Sequence, residues 1–275
     1  MNRRNFNKLT VATTALIAAQ AVALPTSRGD LPKGYALRLA DARGRAEHGW
    51  LSSRHSFSFG RYHDPAQVGF SDLFVINEDR VQPGRGFGTH PHRDVEIFSY
   101  VLAGALEHKD SMGTGAVCRP GDVQFMSAGS GVTHSEFNPS SSEPAHFLQI
   151  WLAPAVGGTA PRYVQKHFSE GDKSGRLCLI LSRDGEHSSI QVGQDVHVYA
   201  GLFDGDQVAE LALPPARHAY VHMAKGSLEV NGIKLSAGDA LAISQPGEVL
   251  HFSKGHGAEV LVFDLREDGT NPLQG

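Results

Sequence analysis

Residues 88–96 read GTHPHRDVE, and residues 131–137 read GVTHSEF. His90 and His92 stand two apart, and so do His134 and Glu136. Side chains two apart in a β-strand share one face, so each pair predicts a strand presenting two ligands side by side. Brought together, the pairs form a three-histidine, one-carboxylate set that suits a divalent first-row metal and leaves positions open for a reactant. Pro91 stiffens the backbone between the first two. Gly84, Gly86 and Gly88 let the chain bend into one strand, and Gly129 and Gly131 do so before His134. A chain with 15 histidines could place several in loops by chance. Two strand-compatible spacings, each led in by glycine, argue for a metal instead.

Outward from these pairs the chain is a run of short apolar stretches separated by glycine turns, with no long amphipathic helix after Tyr35. The pattern predicts an all-β protein of sandwich or barrel type. YVLAGALEHKD followed by RPGDVQFMSAG finds a weak echo in VHMAKGSLEVNG followed by LSAGDALAIS. That predicts one β unit made twice: a metal-binding unit over 31–153, a Pro/Gly/Ala-rich linker over 154–165, and a second unit over 166–275. The second unit keeps His218 and His222 but lacks a His-x-Glu pair, and it reads as metal-free.

The 275 residues carry a net charge of −4 and no basic run long enough for a nucleic-acid surface. Cys118 and Cys178 are too few for a disulfide framework. Residues 1–30 read as a leader: a basic start, a short threonine-diluted apolar stretch from Leu9, and Ala21-Val22-Ala23 as a cleavage site. The stretch is too short and too polar for a stable membrane anchor. Arg3-Arg4-Asn5-Phe6-Asn7-Lys8 resembles the twin-arginine export signal, an ordinary secretory signal being the alternative. The expected location is periplasmic or secreted, with transient engagement of the twin-arginine machinery. Proteins on that route cross the membrane folded. A site needing iron or manganese then gains by loading before export, since ligand affinity alone favours copper and zinc.

PGRGFGTHPHRDVEIFSYVLAG and GDVQFMSAGSGVTHSEFN resemble the two motifs of the cupin superfamily. RHSFSFGRYHDP, HPHRDVE, GDVQFMSAG, HSEFN and FLQIWLAP together resemble the pirin family more narrowly, from Arg54 to Pro154. The resemblance implies a bicupin with a degenerate C-terminal cupin and metal ligands at His90, His92, His134 and Glu136. It implies one divalent transition metal, expected to be iron, with manganese, nickel, cobalt or copper as alternatives. Bacterial pirin-like proteins resemble quercetin 2,3-dioxygenases, which implies a flavonol or other phenolic substrate, dioxygen as co-substrate, and a depside and carbon monoxide as products. Glu136, the one ligand able to take a proton, is then the expected catalytic base. The competing readings are a non-catalytic, redox-sensing pirin-like protein and an oxygenase for another phenolic. Glu96 occupies the general cupin ligand position and reads either as support for the ligands or as a structural hydrogen-bonding group. Phe125, Met126, Phe137 and Phe147 offer an apolar slot or plain core. His55 is expected to pack, and His108, His146 and His167 carry no spacing signal.

Overall fold

A computed structural model describes residues 31–269; the leader signal expected over 1–30 lies outside them. Among the described residues strands predominate, and the one α-helix is the single turn Glu170–Lys173. Two sheets build the first cupin. One has seven strands in the order Arg162–His167, Asp122–Ser127, Glu96–Ala103, Ala145–Leu152, Leu73–Val81, Leu51–His55 and Gly44–Glu47. The other has four: Gly86–His92, Val132–Phe137, Leu106–Asp110 and Gly115–Cys118. A nine-stranded sheet makes the second cupin, centred on the long strands Arg217–Val230 and Val249–Arg266.

Two strands change partners relative to the expected boundaries. Tyr35–Arg38 pairs with Ala240–Ile243 and so belongs to the second cupin's sheet. Arg162–Gln165, expected at the end of the linker, lies in strand Arg162–His167, paired in register with Asp122–Ser127 of the first cupin.

The period-two pattern decides what faces the site. Along Ala145–Leu152, Leu148, Ile150 and Leu152 enter a core shared by both cupins, while Phe147, Gln149 and Trp151 turn to the interior of the first. Glu96–Ala103 does the same: Phe98, Tyr100 and Leu102 join the shared core, and Ile97, Ser99 and Val101 face inward. Strands buried on both faces read as nearly continuous apolar runs. The polar residues interrupting them, Ser99 and Gln149, are the ones that reach the site.

Candidate metal centre and cavity

Gly86–His92 is an edge strand of the four-stranded sheet, which is where a proline such as Pro91 is tolerated. It pairs antiparallel with Val132–Phe137, setting His134 directly opposite His90. The register then slips, so that Glu136 faces Phe87, leaving Gly88 and Thr89 opposite the single residue Ser135. Such a bulge re-aims the side chains beside it.

His90, His92 and His134 form a nearly equilateral triangle, with ring centroids 4.6–4.8 Å apart. His90 Nε2 and His134 Nε2 lie 3.1 Å apart. Adjacent ligands about 2.1 Å from one ion stand about 3 Å from each other, so the pair is already spaced to share a metal. The His90 Nδ1 lies 2.7 Å from the Gly88 carbonyl, which fixes Nδ1 as the donor and leaves Nε2 free to ligate. Burial, reinforced by the neighbouring imidazoles, pushes His92 down to about 4 and His134 down to about 3. Both are therefore neutral ligands at physiological pH.

Glu136 is fully buried and takes hydrogen bonds from Ser99 Oγ (3.3 Å), Gln124 Nε2 (3.3 Å) and Gln149 Nε2 (2.6 Å). Burial raises its pKa to about 7 and outweighs these three donors, each of which favours the carboxylate. Among the described residues, potential ligand atoms within 4.8 Å of one another form two groups that share His134. One is His90, His92 and His134; the other is His108, His134 and Glu136. The structure thus brings the three expected histidines together and groups the glutamate with His134 and His108 rather than with His90 and His92.

His108, expected to be ordinary, is a correction. It is fully buried, its Nδ1 lies 3.4 Å from His134 Nδ1 and 3.3 Å from Gln124 Nε2, and its Nε2 pairs with Asp110 at 3.0 Å. In LEHKD the strand-spaced pair His108 and Asp110 was the available signal, and the pairing of that strand with Val132–Phe137 brings His108 to the site. His146 and His167 stay outside the site, on Glu78 and Asp122.

The cluster opens into a cavity of about 1180 Å³. Trp50, Phe59, Phe87 and Trp151 form its aromatic walls, with Trp50 and Phe87 edge-to-face at 5.3 Å and Trp151 edge-on to His92 at 5.0 Å. Ser53, His55, Asn77, Asp79 and Gln149 supply a polar lining, to which Arg45, His48, Arg61 and Tyr62 also contribute. His55, expected only to pack, lines this cavity while its Nδ1 hydrogen-bonds Asn77 Oδ1 at 2.7 Å. Asp79 is raised to about 7 by burial, and its Oδ1 has no hydrogen-bond partner among the described residues.

None of the phenylalanines expected as a slot lines the cavity. Phe125 points into the core shared by the cupins, with the Arg162 guanidinium over its ring. Met126 packs with Val95, Ile97 and Val132, Phe147 packs with Val81 and Val101, and Phe137 is exposed. Glu96 neither lines the cavity nor touches the histidines: its carboxylate accepts the Gly193 N–H from the second cupin at 3.2 Å, the structural alternative of the two expected. The wall residues escape the sequence because Trp50 and Phe59 come from strands and loops far from both motifs. FLQIWLAP was the available signal, since Gln149 and Trp151 stand two apart within it.

Two β-sandwich units, one carrying a histidine cluster inside its barrel, define a bicupin. Residues 36–152 match the pirin family, and 179–265 match the quercetinase C-terminal cupin domain. The chain belongs to the pirin family. It is 44% identical to the quercetin 2,3-dioxygenase of Escherichia coli K12 over 229 residues, covering 83% of this chain and 97% of that one. It is 36% identical to a pirin-like protein of Caulobacter vibrioides over 225 residues, 82% and 96% of the two chains. The crystal structure of the bacterial pirin YhhW from Escherichia coli in complex with nickel(II) superposes with a TM-score of 0.80 at 43% identity, covering 84% and 99%.

Proposed function

We propose that the protein is a metal-dependent, quercetinase-like oxidoreductase that cleaves a flavonol with dioxygen, releasing carbon monoxide. The observation that carries this reading is the cavity itself: the histidine triangle opens onto a large aromatic-walled space lined also by Glu136. A redox sensor needs a closed metal site and a partner surface, not room beside its ligands for a planar molecule. Relatives named quercetin 2,3-dioxygenase support the substrate class.

His90, His92 and His134 would hold the metal, Glu136 would become the fourth ligand by closing the gap that leaves it grouped with His134 and His108, and iron is the proposed ion. The bound ion supplies Lewis acidity that lowers the pKa of a phenol directed at it. The remaining steps belong to the chain. Trp50, Phe59, Phe87 and Trp151 bury the ring faces and exclude water. Glu136, poised near neutrality, accepts the proton of the flavonol 3-hydroxyl; Gln149, Gln124 and Ser99 hold its carboxylate in place as it does so. Asp79 and Asn77 offer acceptors to further ring hydroxyls.

The test is aerobic turnover of quercetin by protein loaded in turn with Fe, Mn, Ni, Co and Cu. Loss of the flavonol absorbance with carbon monoxide release is expected, falling about 100-fold or more in His134→Ala. Stoichiometric metal binding without turnover on any metal would retire the dioxygenase reading and keep the site.

We also propose export through the twin-arginine route, resting on residues 1–30 of the sequence. Full-length protein should appear in the periplasmic fraction, and Arg3→Lys with Arg4→Lys should hold it in the cytoplasm. Unchanged export of that double variant would sink the proposal.

A further inference from the structure

The second cupin carries a buried polar chamber that the proposed reaction does not use. In its sheet Arg38 stands opposite Ala240, and Ala240 opposite His222. The neighbouring row on the same face is Ala36, Ala242 and Tyr220. Tyr220 and Ala240 belong to the core shared by the two cupins, so this face looks toward the first. On this face an arginine, a histidine and a tyrosine thus stand among three alanines, the smallest side chains able to sit there. Arg43 and Ser56 close the space from the first cupin, Arg43 within electrostatic reach of Tyr220 and His222, and Ser56 beside the Tyr220 hydroxyl.

Four buried polar atoms in this region have no hydrogen-bond partner among the described residues, Arg38 Nε, Arg43 Nη1 and both ring nitrogens of His222, and Ser56 Oγ and Tyr220 OH have at most each other. Ser56, His222, Tyr220 and Arg43 are at most 7% exposed. Native interiors leave only a few such atoms unpaired, so several of them gathered in one region point to a bound water or ion between them. Its polarity follows from the charges. Arg43 reaches Glu78 through Nη2 at 2.7 Å, but Glu78 also serves Arg80 at 2.8 Å and His146 at 2.9 Å. Arg38 hydrogen-bonds only the Tyr62 hydroxyl, at 2.8 Å, and meets no carboxylate at ion-pair distance among the described residues. Burial holds His222 neutral, at about 3. The chamber therefore has two guanidinium groups against one shared carboxylate, and most of its free atoms are donors. A cation is repelled; an anion satisfies both the charge and the donors.

We propose that this chamber binds a small monovalent anion of chloride or formate size, held by Arg38, Tyr220 and His222 of the second cupin and by Arg43 and Ser56 of the first. Because both cupins supply ligands, the anion fastens one to the other. Binding to the folded state alone makes each tenfold rise in anion above its dissociation constant raise the folding constant about tenfold.

Two measurements test it on the whole protein. Crystals soaked in bromide should show an anomalous peak between Arg38, Arg43 and His222. The urea midpoint at constant ionic strength, set with bulky gluconate, should rise with bromide or formate in the wild type and stay flat in Arg38→Met. Arg38 is only half-buried, so methionine keeps its packing; His222→Phe is the second variant, and it too should stay flat. No peak and no midpoint shift would mean that waters fill the chamber. A peak without a shift would mean binding at crystal concentration only, and an equal shift in wild type and both variants would place the effect elsewhere. Each of these results overturns the proposal.

Discussion

Gln149 Nε2 donates to Glu136 Oε2 across 2.6 Å, the shortest of the three bonds on that carboxylate. A donor to a carboxylate favours its charged form, so removing this one should raise the Glu136 pKa above its value of about 7. A base must be deprotonated to act. The acid limb of the pH–rate profile in Gln149→Leu should therefore move to higher pH, with kcat/KM down about tenfold near pH 6 and much less near pH 9. An unshifted limb would show that Glu136 is not the titrating base. The ligand histidines and Glu136 are legible from sequence because a strand's period turns spacing two into shared direction. The polar residues facing them are not legible. Ser99, Gln124 and Gln149 sit on the opposite sheet, and no local spacing connects strands paired across the barrel. His108 lies on the same sheet as His134, on the neighbouring strand, and it is the pairing of the two strands that brings them together.

Among the elements, the Gly86–His92 strand and the turn that leads into it show three glycines doing three different things. Gly84 turns the chain with φ +65°, a left-handed conformation that suits glycine. Gly88 lies within the bulge and meets nothing within 4 Å. Gly86 has extended backbone, but a Cβ there would collide with the Glu136 carbonyl and the Phe137 backbone of the paired strand. Gly86→Ala should therefore pry the two ligand-bearing strands apart. The expected cost is about 1–3 kcal/mol in urea unfolding, together with weaker metal binding by titration calorimetry. Gly88→Ala should cost less than Gly86→Ala, and the reverse order would refute this account. The sequence makes the glycine run conspicuous without saying which position is crowded, because crowding comes from the partner strand. Strand type and the repeat were legible from alternation and turns. The exchange of partners at Tyr35–Arg38 and Arg162–His167 was not, since edge pairing leaves no mark on a short strand's own pattern.

Across the whole molecule, burial raises Asp79, Glu96 and Glu136 to about 7 from ordinary carboxylate values. In this window the folded state binds more protons than the unfolded one. Their contribution is fully present below about pH 4 and is lost as pH rises through about 7. Metal-free protein should accordingly lose part of its stability between about pH 4.5 and about pH 7. Glu96, remote from the cavity, isolates the effect: Glu96→Gln should flatten the fall in urea midpoint over that range, and an unchanged slope would show that Glu96 titrates normally in the fold.

The partner exchange has a further consequence. A nick in the loop between Leu152 and Arg162 would give two pieces, the first carrying strand Tyr35–Arg38 of the second sheet and the second carrying strand Arg162–His167 of the first. Each piece holds an edge the other requires. The halves are thus cross-stitched, and during synthesis the earliest described strand must wait for residues 240–243 to leave the ribosome before it can dock. Such long-range closure slows folding, and it favours a chain that finishes folding as a single unit.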